Sequence, residues 1–220
     1  MPTLIAHRGY SAKYGDNNMQ SFEKAIEHGF DMIELDIQLC KSGDIVIYHD
    51  VQCDGLVVND MWIDEIKKYK IIKLTDFFKK ITPDKVNIFL DVKGEADISF
   101  ELYKILAERF SCDIIKHIYI SSFNQNMMEK IQSLVSPSFP INIGFTTSNS
   151  YTPKQCDLLF KGIDFVCLCL HILNRSFIEK IKSMGIMVFT FTCQNKTDFN
   201  YMLSFGVDGI VCDLHVTDMI

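Results

Sequence analysis

Short runs rich in β-branched and aromatic residues alternate with amphipathic helical stretches along the whole chain, and this alternation admits few folds. A strand that joins a parallel neighbour needs a crossover of roughly a dozen residues or more, usually a helix, so strands spaced this way read as a parallel α/β domain. The strand-forming runs lie at 3–7, 32–39, 45–49, 86–92, 117–122, 141–146, 165–170, 187–192 and 209–212. They number one more than a closed eight-stranded barrel uses. The surplus arises where no helical crossover fits, between Asp36 and Ile45. A hairpin around Ser42 and Gly43 would pair residues whose numbers sum to about 85 and set His49 opposite Asp36. A barrel strand that bends and leads into the next by a short link would gather the same residues at one end.

Helix starts are also legible. Asn17 is placed to cap a helix whose apolar side includes Met19, Phe22, Ile26 and Phe30, with Gln20 completing a capping-box pattern and Gly29 fitting its end. Asp97 is placed to open a helix buried through Phe100, Tyr103, Ala107 and Phe110, and Asn124 another through Met127, Met128, Ile131 and Val135. Thr152 before Pro153, Asn174 before "RSFIEKIKSMG", and the stretch "NKTDFNYMLSFG" supply three more. No internal repeat, low-complexity tract or linker interrupts this pattern, and the five prolines suggest no boundary. At 220 residues, within the range of about 200–250 common for single barrels, one domain spanning 1–220 is expected.

The composition, 48% hydrophobic and 23% charged, is that of an ordinary soluble globular protein. A net charge of -6 argues against nucleic acid as a partner, since a basic face is the usual footprint. No segment approaches the roughly 18 continuous apolar residues of a membrane helix, so no integral membrane segment is expected. The start "MPTLIAHRGY" lacks the basic, apolar and small-residue regions of a secretory signal, which makes a cytoplasmic location the expectation. Eight cysteines agree with a reducing compartment. Most fall in strand-like runs such as "FVCLCLH" and "GIVCD", where they read as small apolar core residues. Between 65 and 85, seven lysines face only Glu65, Asp76 and Asp84; the plain reading is a solvated face. Nothing in the sequence marks an oligomeric state.

The stretch "IELDIQLCKSGDIVIYHD" concentrates the chemistry. Side chains alternate along a strand, so Glu34 and Asp36 share one face and Ile33, Leu35 and Ile37 the other. If the carboxylates look inward they need a compensating partner, because burying an unpaired charge is expensive. Polar residues stand at three further strand ends: His7 with Arg8, His49 with Asp50, and Asp91 with Lys93 in "IFLDVKGE". Strand C-termini converge on one face of a parallel barrel, where active sites are built. Glu34, Asp36 and Asp91 together suit a hard cation, Mg²⁺ or Ca²⁺ rather than Zn²⁺. Arg8 and Lys93 suit a phosphate, and His7 and His49 can exchange the roles of general acid and general base. Singly, each residue has a bland reading as a core histidine, a strand-end ion pair or a cap. As a set they would be a costly way to build a core, and they read as metal-assisted cleavage of a phosphoester.

The segments "IAHRG", "GDNNMQSFEKAIEHGFDMIELDIQLCKSGDIVIYHD" and "IFLDVKGE" resemble the glycerophosphodiester phosphodiesterase family. The likeness extends over nearly the whole chain, through "IIKLTDFFKKI", "IYISSFNQ", "VFTFTCQN" and "GVDGIVCD". It implies a single TIM-type (β/α)8 barrel that hydrolyses small-molecule glycerophosphodiesters to an alcohol and glycerol 3-phosphate. By resemblance, His7 and His49 form the catalytic pair, Glu34, Asp36 and Asp91 hold a divalent metal ion (Mg²⁺ or Ca²⁺, with Mn²⁺ also suited), and Arg8 and Lys93 lie at the phosphate. Phe191 falls where the family usually has a Trp near the substrate and would offer an apolar wall. Other departures are Gly15, Asp16 and Asn17 for Pro-Glu-Asn, Asp91 for Glu, and Gln194 for Asn.

Two other readings stand beside this one. Lysophospholipase D and sphingomyelinase D enzymes resemble it in barrel, paired histidines and acidic metal site, although Cys53 stands alone where the spider-toxin members have a disulfide. A barrel that captures a phosphorylated ligand without turnover would also retain these residues, and the short carboxylate at Asp91 is what favours it.

Overall fold

The computed structural model describes residues 1–219. The twelve strands are β1 (Thr3–Ala6), β2 (Met32–Leu39), β3 (Ile45–Ile47), β4 (Gln52–Cys53), β5 (Leu56–Val57), β6 (Ile72–Lys73), β7 (Asn87–Val92), β8 (Ile118–Ser122), β9 (Asn142–Thr147), β10 (Phe165–Cys169), β11 (Met187–Cys193) and β12 (Gly209–Cys212). Eight of them, β1, β2 and β7 to β12, pair in parallel, and β1 joins both β12 and β2 to close a barrel with helices between the strands. This is the (β/α)8 barrel that the family resemblance implied, within the parallel α/β class read from the alternation.

The surplus run forms a hairpin. β3 pairs antiparallel with β2, matching Ile37 with Ile47 and Leu39 with Ile45, and β6 extends this edge. The partner numbers therefore sum one lower than expected, and the Tyr48 amide, not His49, lies opposite Asp36, donating to its carbonyl at 3.0 Å. The rest of this excursion, including the β4–β5 hairpin, is built around a small core of its own, Cys40, Val46, Cys53, Val58, Met61 and Ile66.

Face alternation is as read. Ile33, Leu35 and Ile37 pack outward with the helices, while Met32 joins Ile5, Phe89, Phe165, Phe189 and Val211 inside the barrel. Aromatic rings fill the interior because two strand glycines make room for them. A Cβ at Gly144 would come within 2.4 Å of the Phe165 ring, and one at Gly209 within 2.6 Å of Phe189. Glu34 and Asp36 continue the inward row of β2 toward its C-terminal end, paired in register with Phe89 and Asp91 of β7.

Helix caps agree with the sequence at Asn124, Thr152, Asn174 and Asn195, each of which accepts from a backbone amide three residues on. Two expectations are corrected. Asn18, not Asn17, caps Met19–Glu27, in a reciprocal box with Ser21 rather than Gln20. The helix Ser99–Arg109 buries Leu102 and Leu106 and leaves Phe100 70% exposed, so its inner stripe is rotated from the one expected. Asp97 still serves its start, accepting from the Ser99 amide. Of the lysines between 65 and 85 all but Lys73 are exposed, as the plain reading required. Six of the eight cysteines are buried, and all are free thiols.

Candidate active site

All eight residues singled out by sequence, His7, Arg8, Glu34, Asp36, His49, Asp91, Lys93 and Phe191, line one open cavity of about 160 Å³ at the C-terminal end of the strands. Phe89, Phe123, Thr146, Cys167, Thr192 and Val211 complete it. Parallel strands bring their ends together, which is why residues from distant segments meet here.

One oxygen each of Glu34, Asp36 and Asp91 lies within 4.8 Å of the others, and all three residues are buried. Their partners differ. Asp36 is surrounded by donors: Arg8 Nε sits 3.0 Å from Oδ2 as an ion-pair contact off hydrogen-bond geometry, Lys93 Nζ lies 3.2 Å from Oδ1, and Asn17 Nδ2 donates at 2.8 Å. Burial works against its charge, but Lys93, Arg8 and Asn17 outweigh burial and hold its pKa below the usual carboxylate range. Asp91 receives Lys93 Nζ at 2.5 Å, yet burial still leaves it raised. Among the described residues Glu34 accepts only from the Arg8 backbone amide, at 2.8 Å, and burial together with the neighbouring Asp36 pushes it up to about 8. Lys93 is held charged despite burial, by Asp91 and Asp36, and stands 5.3 Å over the Phe123 ring.

The donor set fits a hard divalent cation. Three buried carboxylates, each with an oxygen within 4.8 Å of the others, face two fixed cations, Arg8 and Lys93, and an all-oxygen donor set of this kind suits such an ion. Such an ion would be held by Glu34, Asp36 and Asp91.

The two histidines sit in different surroundings. His7 follows β1 and is mostly buried; its Nδ1 is 2.6 Å from Asp213 Oδ1. Burial lowers its pKa, but Asp213 and then Glu34 raise it more, so the net direction is upward. His49 follows β3, is 41% exposed at its side chain, and pairs through Nδ1 with Asp50 at 2.7 Å. Gln38, buried on β2, donates from Nε2 to the Tyr48 and Asp50 carbonyls at 2.8 and 2.9 Å and so ties down the segment that carries His49. Phe191 meets Phe123 edge to face at 5.9 Å, forming an apolar side of the cavity.

Sequence reasoning missed several contributors. Asp213 lies 206 residues from His7; its signal was the "CD" that ends the last strand, the same strand-end position held by the other polar residues. Asn17 was assigned to a cap but bonds Asp36, and Asp16 bonds Arg8 at 2.8 Å. Ser121, within 3.5 Å of Asp91 and 2.5 Å of Thr146, lies in the "IYISSFNQ" segment but was given no role there.

A parallel barrel that gathers imidazoles, carboxylates and fixed cations at its strand C-termini has the layout of a barrel enzyme's active site. Residues 7–215 match the model of the glycerophosphoryl diester phosphodiesterase family, and the chain belongs to that hydrolase family. A glycerophosphodiester phosphodiesterase of Bacillus altitudinis is 37% identical over 249 residues, covering 97% of this chain and 95% of the relative. Another, from Caldanaerobacter subterraneus subsp. tengcongensis, is 28% identical over 236 residues, covering 97% and 95%. Among solved structures, an Oleispira antarctica phosphodiesterase in complex with the product sn-glycerol 3-phosphate superposes with a TM-score of 0.82 at 20% identity, covering 97% of this chain and 93% of that one, and it supports the fold. Among the described residues no helix is long and apolar enough to cross a membrane.

Proposed function

We propose that this chain hydrolyses glycerophosphodiesters to an alcohol and glycerol 3-phosphate, with a divalent cation on Glu34, Asp36 and Asp91 and with His7 and His49 as the acid/base pair. The observation that carries this reading is the convergence of both histidines, the three carboxylates, Arg8 and Lys93 on one cavity. The product bound to the Oleispira relative and the activity named for the Bacillus altitudinis relative support the substrate class.

When bound, the cation would neutralise phosphoryl charge and polarise the phosphorus–oxygen bonds. Arg8 and Lys93 are fixed by Asp16, Asp36 and Asp91, so they meet an incoming phosphate already oriented, and charge developing on its oxygens needs little reorganisation. One imidazole takes a proton from the attacking oxygen, a water or the glycerol 2-hydroxyl, while the other gives one to the leaving alcohol; attack by the 2-hydroxyl leaves a cyclic phosphate that water then opens to glycerol 3-phosphate. Phe191 and Phe123 supply an apolar wall for the carbon atoms of the substrate.

The test is release of glycerol 3-phosphate from glycerophosphocholine and glycerophosphoethanolamine after chelation and after restoring Mg²⁺, Mn²⁺ or Ca²⁺. Release is expected only with metal, and His7→Ala and His49→Ala are each expected to lower turnover by about 10²-fold or more. Cleavage of lysophosphatidylcholine with neither diester touched would replace this substrate class, and binding without product under every metal would replace catalysis.

A further inference from the structure

We infer that Asp213, steadied by Gln194, is the positioning residue that fixes the His7 imidazole for proton transfer; this rests on the acid/base role proposed for His7. Asp213 directly follows β12, its amide donates to the Cys193 carbonyl of β11 at 3.0 Å, and its carbonyl accepts from the Ala12 amide at 3.2 Å. Both carboxylate oxygens are committed. Oδ1 is 2.6 Å from His7 Nδ1, and Oδ2 accepts from Gln194 Nε2 at 3.2 Å. The Gln194 backbone is itself held, its main-chain N–H donating to Asp198 Oδ2 at 3.1 Å. The Asp213 backbone is therefore anchored at the end of β11 and on the short helix Ser11–Tyr14, and its carboxylate is held by Gln194.

An ionised carboxylate can only accept, so Nδ1 of His7 carries the hydrogen in that contact. Nε2 is left as the nitrogen that exchanges a proton, whichever way the proton moves. The His7 amide donates to the Cys212 carbonyl at 3.0 Å, so backbone and ring are registered against the same strand end. Without Asp213, a neutral imidazole would populate both tautomers and lose one constraint on its ring. The His49–Asp50 pair is not equivalent. Its carboxylate belongs to the next residue and is 69% exposed, against 21% for Asp213, and water competes there for the same hydrogen bond.

Asp213→Asn keeps the shape but can offer an N–H to Nδ1 and so favour the other tautomer. With glycerophosphoethanolamine and Mg²⁺, its kcat is expected to fall about 10²-fold or more while KM stays within about twofold. The ¹⁵N resonances of His7 should move from the Nδ1–H form toward the Nε2–H form. In a His7→Ala background the same substitution should lower kcat no further, because it acts through the ring, and Gln194→Ala should give a smaller loss in the same direction. Wild-type kcat in Asp213→Asn, or an equal further loss when His7 is already absent, overturns the inference and leaves the proposed function intact. Full activity in His7→Ala removes the acid/base reading, and this role with it.

Discussion

Glu34 and Asp36 sit two residues apart on one strand face, yet the fold drives them in opposite directions. Asp36 has Lys93, Arg8 and Asn17 around it and stays charged; Glu34 has one amide donor and keeps its proton up to about 8. Between its ordinary value of 4.5 and about 8, the folded chain binds a proton at Glu34 that an unfolded chain has already released. Stability of the metal-free protein from this group therefore falls as pH rises through that window. A divalent cation needs the carboxylate, so its affinity should rise through the same window and level off above it. Melting curves with and without Mg²⁺ at pH 6 and pH 8 check this: the stabilisation by metal is expected to be larger at pH 8, and Glu34→Gln should abolish the difference. A metal effect equal at both pH values in the wild type would contradict it. The Asn17–Asn18 pair shows where local pattern ends. Either residue can cap the next helix, but Asn17 adopts a left-handed φ of 52° and turns its amide to Asp36, a partner 19 positions away.

Three helix-to-strand turns use one device, the tripeptides Gly29-Phe30-Asp31, Gly162-Ile163-Asp164 and Gly206-Val207-Asp208. In each, the glycine takes a left-handed φ, the middle residue packs into or against the core, and the aspartate directly precedes the next strand. The aspartate amide donates to the preceding barrel strand at Leu4, Ile143 or Val188, and its Oδ2 accepts from the amide of that same residue at 2.8 Å. No repeat was expected from the sequence, because tripeptides so far apart show no period; the recurrence belongs to the geometry of the turn. Asp208→Ala leaves the Val188 amide without this acceptor and is expected to cost about 1–3 kcal/mol in denaturant unfolding, whereas Asp208→Asn should keep most of the stability. Equal stability of all three proteins would show that water replaces the bond. The helix Ser99–Arg109 failed for a different reason. Its sequence carries two overlapping apolar stripes, and the fold buries the one through Leu102 and Leu106.

At the scale of the molecule, a barrel with an aromatic interior carries a small excursion with a core of its own, attached through β3 and β6, and His49 stands at its root. The β3–β6 ladder has only two residue pairs, so the excursion is expected to open more easily than the barrel. Amide exchange should be faster at Cys53, Leu56 and Ile72 than at Leu35, Leu90 and Val188; equal protection would mean that barrel and excursion open as one unit. The helix–strand alternation, the face of β2 that holds Glu34 and Asp36, and seven polar residues of the cavity were legible in the sequence, since periodicity and strand-end polarity are local properties of a chain; Phe191 was placed only by the family resemblance. The hairpin register, the true partner of Asn17, the hold of Asp213 on His7 and the contrary pKa shifts of two neighbouring carboxylates were decided only by tertiary structure. Each depends on which groups closure of the barrel brings within a few ångströms, and on how far that closure removes them from water.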